Sequence, residues 1–335
     1  MRTLSVGVIG AGDIARKVHL PVLLSMPDVR VRWIYDTALD RSRSVGRAFG
    51  IPALGPCEPA DLPECDAILI AIPVGVRNAY YDVLEPRATG VLTEKPFAVS
   101  SDEHRALSLR FEPYRLACGY MRRFYTSTKL LKELIARRQF GCLRRIRVSE
   151  GNRSTGSRVD RSYLDDVRQS AMGGILSELG CHSLDLALFI TGAQAYDVRT
   201  CEFVLDGKVD RKISACITLR ESEHLPSSGV ILDYCVSWLD RQANSIELEF
   251  EHCTAWTAVS PGGDVYMGER EKPSTWIRLV PTVSAARTAN QAFYLQWRSF
   301  LDGLVSRSES EISARSALLS TSLIQGLYAH GRCHA

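Results

Sequence analysis

Val6-Gly7-Val8-Ile9-Gly10-Ala11-Gly12-Asp13-Ile14-Ala15 is the stretch that decides the fold. Alternating apolar and small residues over 6–9 make a short strand, the glycines break it, and an apolar pattern of helical period runs from Ile14 to Leu24. The pattern G-x-G-x-x-A has a physical reading. Gly10 permits a tight turn, Gly12 lacks the Cβ that would keep a pyrophosphate off the backbone, and Ala15 lets helix pack on strand. The helix N-terminus, with Asp13 and Ile14 in its first turn, offers free N–H groups and a positive dipole end to the anion. The next strand, predicted over Val29–Tyr35, ends in Asp36, where a dinucleotide fold places the acid that holds the adenosine ribose hydroxyls. Asp36 favours NAD over NADP, because a carboxylate repels a 2′-phosphate; Arg41 and Arg43 nearby leave NADP possible.

Working outward, Thr37–Phe49 reads as a polar helix closed by Gly50, and Pro52–Pro63 as irregular. Cys65–Ile72 is a continuous apolar run ended by Pro73, as expected for a parallel strand covered on both faces, with Ala71, Ile72 and Pro73 at its cofactor-facing end. A helix over Arg77–Leu84, a strand over Gly90–Thr93, a serine-capped helix over Ser101–Arg110 and a strand at Leu116–Tyr120 follow. This alternation predicts an α/β fold whose N-terminal part, residues 1–121, is a doubly wound parallel sheet of the Rossmann type.

The texture then changes. Ser127–Arg138 is an amphipathic helix, Leu143–Ser149 a strand, Gly151–Met172 a long polar segment, and 174–191 another helix. Strands are predicted at Val198–Leu205, Ile213–Arg220, Val230–Trp238, Ser245–Glu251 and Thr254–Val259, before closing helices near Ala289–Ser306 and Ser313–Ala329. Ile246, Leu248 and Phe250 alternate with Glu247, Glu249 and Glu251, the mark of an antiparallel sheet with one wetter face. Residues 122–335 are therefore expected to form an α+β domain around a large, mostly antiparallel sheet.

Composition sets limits. With 335 residues the chain exceeds what one core usually fills. A net charge of +3 gives no argument for nucleic acid as a partner. The longest apolar runs are far too short to span a membrane and no signal-peptide pattern opens the chain, so a cytoplasmic protein is expected. The ten cysteines stand singly, without a C-x-x-C pair, and read as buried free thiols; no metal is expected.

Four motifs carry a resemblance. Gly10–Ala15, Thr93-Glu94-Lys95-Pro96, Gly119-Tyr120-Met121-Arg122-Arg123-Phe124 and Met172-Gly173-Gly174-Ile175-Leu176-Ser177-Glu178-Leu179-Gly180-Cys181-His182-Ser183-Leu184-Asp185 occur in the order found in the glucose-fructose oxidoreductase, inositol dehydrogenase and MocA-like (Gfo/Idh/MocA) oxidoreductases. The resemblance spans nearly the whole chain. It implies a nicotinamide cofactor at the carboxyl ends of the parallel strands, with Glu94, Lys95 and Pro96 beside it and Pro96 a position for a cis peptide. It implies that Lys95 and His182 meet at the reacting carbon, with Glu178 assisting, and that the C-terminal sheet assembles a homo-oligomer, dimer or tetramer. Helical spacing independently puts Glu178, His182 and Asp185 on one face, and a histidine beside a carboxylate suits acceptance of an alcohol proton. The chain departs from the family pattern in four places. Glu178 stands where Asp is usual, Met172 replaces a glycine, Arg77 occupies a position where His is frequent, and Met121 one where Asn is common.

The expected activity is hydride transfer between NAD, or NADP, and a secondary alcohol or ketone of a sugar, cyclitol or nucleotide-sugar-like small molecule. Substrate contacts are expected from Lys95, Glu178, His182 and Arg123, and from Arg158 and Tyr163 of the long polar segment, where Arg153, Arg161 and Arg168 add charge for an anionic tail. An imine reductase and a redox-neutral NAD-dependent glycosidase are alternatives on the same scaffold. A non-catalytic cofactor-sensing regulator is an alternative of another class, against which the presence of both Lys95 and His182 argues.

Overall fold

The computed structural model of the chain describes residues 2–153, 174–269, 271–281 and 285–334. They form two compact units, one of residues 1–121 with 289–318 and one of residues 122–288 with 319–335.

In the first unit, β1 (Leu4–Ile9), β2 (Val29–Tyr35), β3 (Ala67–Ile70), β4 (Gly90–Thr93) and β5 (Leu116–Cys118) form a wholly parallel sheet in the order β2-β1-β3-β4-β5. Val8 pairs with Ile34 on one side and Leu69 on the other, and all three side chains are buried, which explains why these strands read as continuous apolar runs. The helix after β1 covers 13–24 and contains a π-type turn, Ala15–His19, before α1 (Leu20–Leu24). It is followed by α2 (Leu39–Phe49), which ends on Gly50 at φ +68°, by α3 (Asn78–Leu84), and by α4 (Ser101–Arg110). The α4 cap is Ser100, whose hydroxyl accepts the Glu103 N–H at 3.1 Å.

The second unit holds α5 (Thr126–Arg137) and a helix over 175–191, made of a π-type turn, Leu176–Gly180, and α6 (Cys181–Thr191). Its strands are β6 (Leu143–Gly151), β7 (Ala195–Asp206), β8 (Val209–Arg220), β9 (Val230–Ser237), β10 (Ser245–Phe250), β11 (Thr254–Ala258), β12 (Val265–Gly268), β13 (Ile277–Leu279) and β14 (Arg332–His334). Among the described residues they form one sheet, β13-β12-β11-β10-β6-β9-β8-β7-β14, antiparallel except for the β6·β9 and β7·β14 pairs. Ile246, Leu248 and Phe250 are buried, while Glu247 and Glu249 reach Arg147 of β6 on the opposite face at 2.7 Å each, so the alternation seen in the sequence is the two-sidedness of this sheet. Strands β12, β13 and β14 were not expected from the sequence. With three or four residues each, they are too short to show an alternation of their own.

The helix α7 (Ala289–Ser306) belongs to the first unit, where Trp297, Phe300 and Leu301 are fully buried and Arg298 Nη1 donates to both carboxylate oxygens of Asp28 at 2.7 and 2.8 Å. The last helix is α8 (Ala314–His330).

Candidate active site

The predicted cofactor residues of the first unit converge on the carboxyl edge of its sheet. Gly10 follows β1 with φ +99°, and a Cβ there would overlap the Ala71 carbonyl beyond β3, so only glycine allows these two chain ends to pack. A Cβ on Gly12 would instead point into open space, with nothing within 4 Å. This is the cradle a dinucleotide's pyrophosphate requires, and the residues present fit that group. Asp36 pins the turn to β2. Its carboxylate accepts the Ala11 and Ala38 N–H groups at 2.8 Å each, and Arg41 lies 3.5 Å away on the solvent side. The Asp13 carboxylate turns along the helix to Lys17 at 2.6 Å and Arg16 at 2.9 Å, and these hydrogen bonds hold its pKa below the usual range. Ile14 is half-buried beside it.

Beyond β3 and β4 the chain is held by Arg77, which is 3% exposed. Its Nε donates to the Ile72 carbonyl at 2.9 Å, and its Nη1 donates to the carbonyls of Glu94 and Pro96 at 2.5 and 2.7 Å. The two ends, Ala71–Pro73 and Glu94–Pro96, are thereby fixed side by side, with Lys95 half-buried between two clamped carbonyls and its peptide to Pro96 cis. The Glu94 carboxylate points inward. Its Oε1 lies 2.7 Å from Nε2 of the buried His19, and its Oε2 accepts the Lys95 N–H at 3.2 Å. Burial pushes this carboxyl up, but the His19 hydrogen bond, with Lys95 and Arg77 nearby, more than offsets it and keeps the group below its ordinary pKa. Sequence reading had noted Arg77 only as a departure from the family and gave His19 no role. A histidine four residues after Ala15 and an arginine four after Pro73 were the available signals, and neither shows burial in the sequence.

In the second unit, Glu178 and His182 are half-buried, one helical turn apart. The helix that carries them is anchored at its start by Asp210, whose carboxylate accepts the Leu176 N–H at 2.8 Å and the Tyr328 hydroxyl at 2.9 Å; burial raises the Asp210 pKa. Tyr234 donates to the Gly180 carbonyl at 2.9 Å, and a Cβ on Gly180 would strike that hydroxyl.

Two expectations are corrected. Asp185 does not share the half-exposed face of Glu178 and His182: it is 1% exposed and accepts the Arg123 Nε–H and the Ser320 hydroxyl at 2.8 Å each. Arg123, expected to contact substrate, is 2% exposed, and its fork is spent on Asp185. A carboxylate on the packed side of a helix needs a charged partner, and Arg123 supplies it. Arg153 is exposed, whereas Arg158, Arg161, Tyr163, Arg168, Met172 and Gly173 lie outside the described residues. Among the described residues no group of three or more His, Cys, Asp or Glu side chains is placed to hold a metal ion, and no helix is long and apolar enough to cross a membrane.

The parallel sheet, the glycine turn and the acid ending β2 define a Rossmann unit for a nicotinamide dinucleotide. Residues 4–115 match the Gfo/Idh/MocA family model, described as an oxidoreductase family with an NAD-binding Rossmann fold. The chain is 25% identical over 187 residues to glucose-6-phosphate 3-dehydrogenase of Bacillus subtilis, a match covering 55% of this chain and 53% of the relative. It is 26% identical over 252 residues to UDP-N-acetylglucosamine 3-dehydrogenase of Acidithiobacillus ferrooxidans, covering 73% of each. The first of these matches thus spans about half the relative's length. Its fold resembles that of a 3-ketoreductase from Actinomadura kijaniata, solved with NADP and TDP-benzene, with a TM-score of 0.82, 19% identity and 99% of both chains covered.

Proposed function

We propose that this protein is a nicotinamide-dependent dehydrogenase or reductase acting on a secondary alcohol or ketone of a sugar, cyclitol or nucleotide sugar. The observation that carries the proposal is the fixed Glu94–Pro96 turn, which sets Lys95 at the carboxyl edge of a sheet whose glycine turn and Asp36 suit a dinucleotide. The family match over residues 4–115 and the relatives named as sugar 3-dehydrogenases support it.

A bound nicotinamide supplies the two-electron acceptor or donor at the carbinol carbon. In the oxidation direction, His182 accepts the hydroxyl proton and Glu178 orients the imidazole, while Lys95 holds the oxygen by hydrogen bond and charge. Asp36 takes the adenosine ribose hydroxyls and favours NAD, and Arg41 offers a cation for NADP at the same edge. We further propose that the charged face of the nine-stranded sheet, with Arg145, Arg147 and Asp233, joins copies of the chain into an oligomer.

The experiment is a titration of nucleotide-free protein with NADH and with NADPH, following tryptophan quenching, and then a screen of sugar phosphates, nucleotide sugars and cyclitols for a change in nicotinamide absorbance. Tight NADH binding and absorbance change with a sugar or cyclitol are the expected results. Binding of neither cofactor to folded protein rejects the proposal.

A further inference from the structure

The hydrogen bonds beneath Lys95 have a direction fixed by chemistry. An indole N–H only donates, so the 3.0 Å contact from Trp297 Nε1 to His19 Nδ1 makes that nitrogen an acceptor without a proton. The imidazole proton therefore sits on Nε2, where it donates to Glu94 Oε1 at 2.7 Å. With one oxygen so held, the other lies where the Lys95 backbone N–H reaches it at 3.2 Å. His19 is fully buried, with Phe293 packed edge-on at 5.1 Å between ring centroids and Trp297 at 5.9 Å. It ends the π-type turn that follows the glycine motif, so this chain of contacts links α7, the nucleotide-facing helix and the end of β4.

We propose that Trp297 and His19 are positioning residues for Lys95: Trp297 anchors His19 through Nδ1, His19 holds the Glu94 carboxylate in one orientation, and Glu94 fixes the backbone from which the lysine projects. The proposal rests on the reading of Lys95 as the residue at the reacting carbon. Arg77 clamps the same turn through the Glu94 and Pro96 carbonyls, so the relay supplies what Arg77 cannot, an acceptor for the Lys95 N–H. A histidine that merely fills the core would tolerate either tautomer. This one does not, because the opposite tautomer would set two donors face to face at Trp297 and leave the Glu94 carboxylate opposite a lone pair.

The test uses the full-length protein without cofactor. Nitrogen chemical shifts of ring-15N-labelled histidine report the tautomer directly: His19 is expected as the Nε2–H form in the wild type, and in Trp297→Phe the Nδ1 signal is expected to move as its indole donor is lost while the Glu94 carboxylate keeps the proton on Nε2. A proton on Nδ1 of wild-type His19 overturns the proposal. Competitive acetylation read by mass spectrometry then reports whether the relay reaches the lysine amine. His19→Asn, whose amide reproduces Nδ1 but not Nε2, is expected to change the Lys95 labelling rate about tenfold relative to exposed lysines. His19→Gln restores a donor where Nε2 lay and is expected to stay within about twofold. Equal labelling in the wild type and both variants overturns the proposal. Should His19→Asn fail to fold, Trp297→Phe carries this arm, with a change of about threefold or more expected and none overturning it. Neither readout needs a bound nucleotide, so a failure of the dehydrogenase reading, seen as no binding of NADH or NADPH to the wild type, is told apart from a failure of the relay.

Discussion

At the scale of single residues, Gly10 and Lys95 separate the two things an active site must do. Gly10 is a backbone requirement. Its φ of +99° and the carbonyl of Ala71 against its α-carbon exclude any side chain, so Gly10→Ala is expected to cost about 1–3 kcal/mol of stability. The same change should weaken NADH binding at least tenfold, read by fluorescence titration beside a melting curve. Lys95 is a chemical requirement. Lys95→Ala should bind NADH within a few-fold of the wild type, because the glycine turn and Asp36 are untouched, while turnover falls by about 10² to 10⁴. Loss of binding and turnover together in that variant would assign Lys95 to cofactor binding alone.

At the scale of elements, two buried contacts decide how the helices are held. His104 of α4 is fully buried against the Ala314 carbonyl at 2.8 Å, and burial, only partly countered by that hydrogen bond, lowers its pKa to about 4. In the unfolded chain an imidazole takes up its proton near pH 6.5. Between these values the unfolded state binds more protons than the folded one, so this contribution is complete above pH 6.5 and is lost as pH falls toward 4. The loss is on the order of 3 kcal/mol, and His104→Gln, which keeps a donor for Ala314 but does not titrate, should flatten the pH dependence of urea unfolding over that range. In the second unit, Asp185 on α6 and Arg123 are both almost fully buried. Asp185→Asn leaves the guanidinium without its counter-charge and should cost about 3–5 kcal/mol, whereas Arg123→Met with Asp185→Leu should recover most of it; thermal melts of the three proteins distinguish a packing role from a substrate contact.

At the scale of the whole molecule, the first unit is discontinuous in sequence. Trp297, Phe300 and Leu301 each bury a side chain of the kind that contributes about 1.5–3 kcal/mol, and Arg298 adds a paired charge at Asp28. Their sum is comparable with the net stability of a whole domain. A fragment of residues 1–121 is therefore expected to show no cooperative melt and no NADH binding, and fusing residues 289–318 to it should restore both, measured by circular dichroism and fluorescence titration. Saturating NADH at about a hundred times its dissociation constant should stabilise the intact chain by about 2.7 kcal/mol.

The parallel sheet, its strand order of glycine turn before acid, and the alternating sheet of the second unit were legible because each is written locally. A strand buried on both faces must be apolar throughout, a two-faced strand must alternate, and a chain passing within reach of a carbonyl must be glycine. Lys95 was singled out only through resemblance, since nothing in Glu94-Lys95-Pro96 distinguishes it from a surface turn, whereas His182 also had its helical spacing from Glu178. What tertiary structure alone decided is which polar side chains face inward. Arg123 and Asp185 look like site residues in sequence, and His19 and Arg77 look incidental. Burial reverses both readings, because a guanidinium or imidazole removed from water must find its partners wherever the fold brings them. Those partners lie 62 residues away for Arg123, and 75 and 278 residues away for His19.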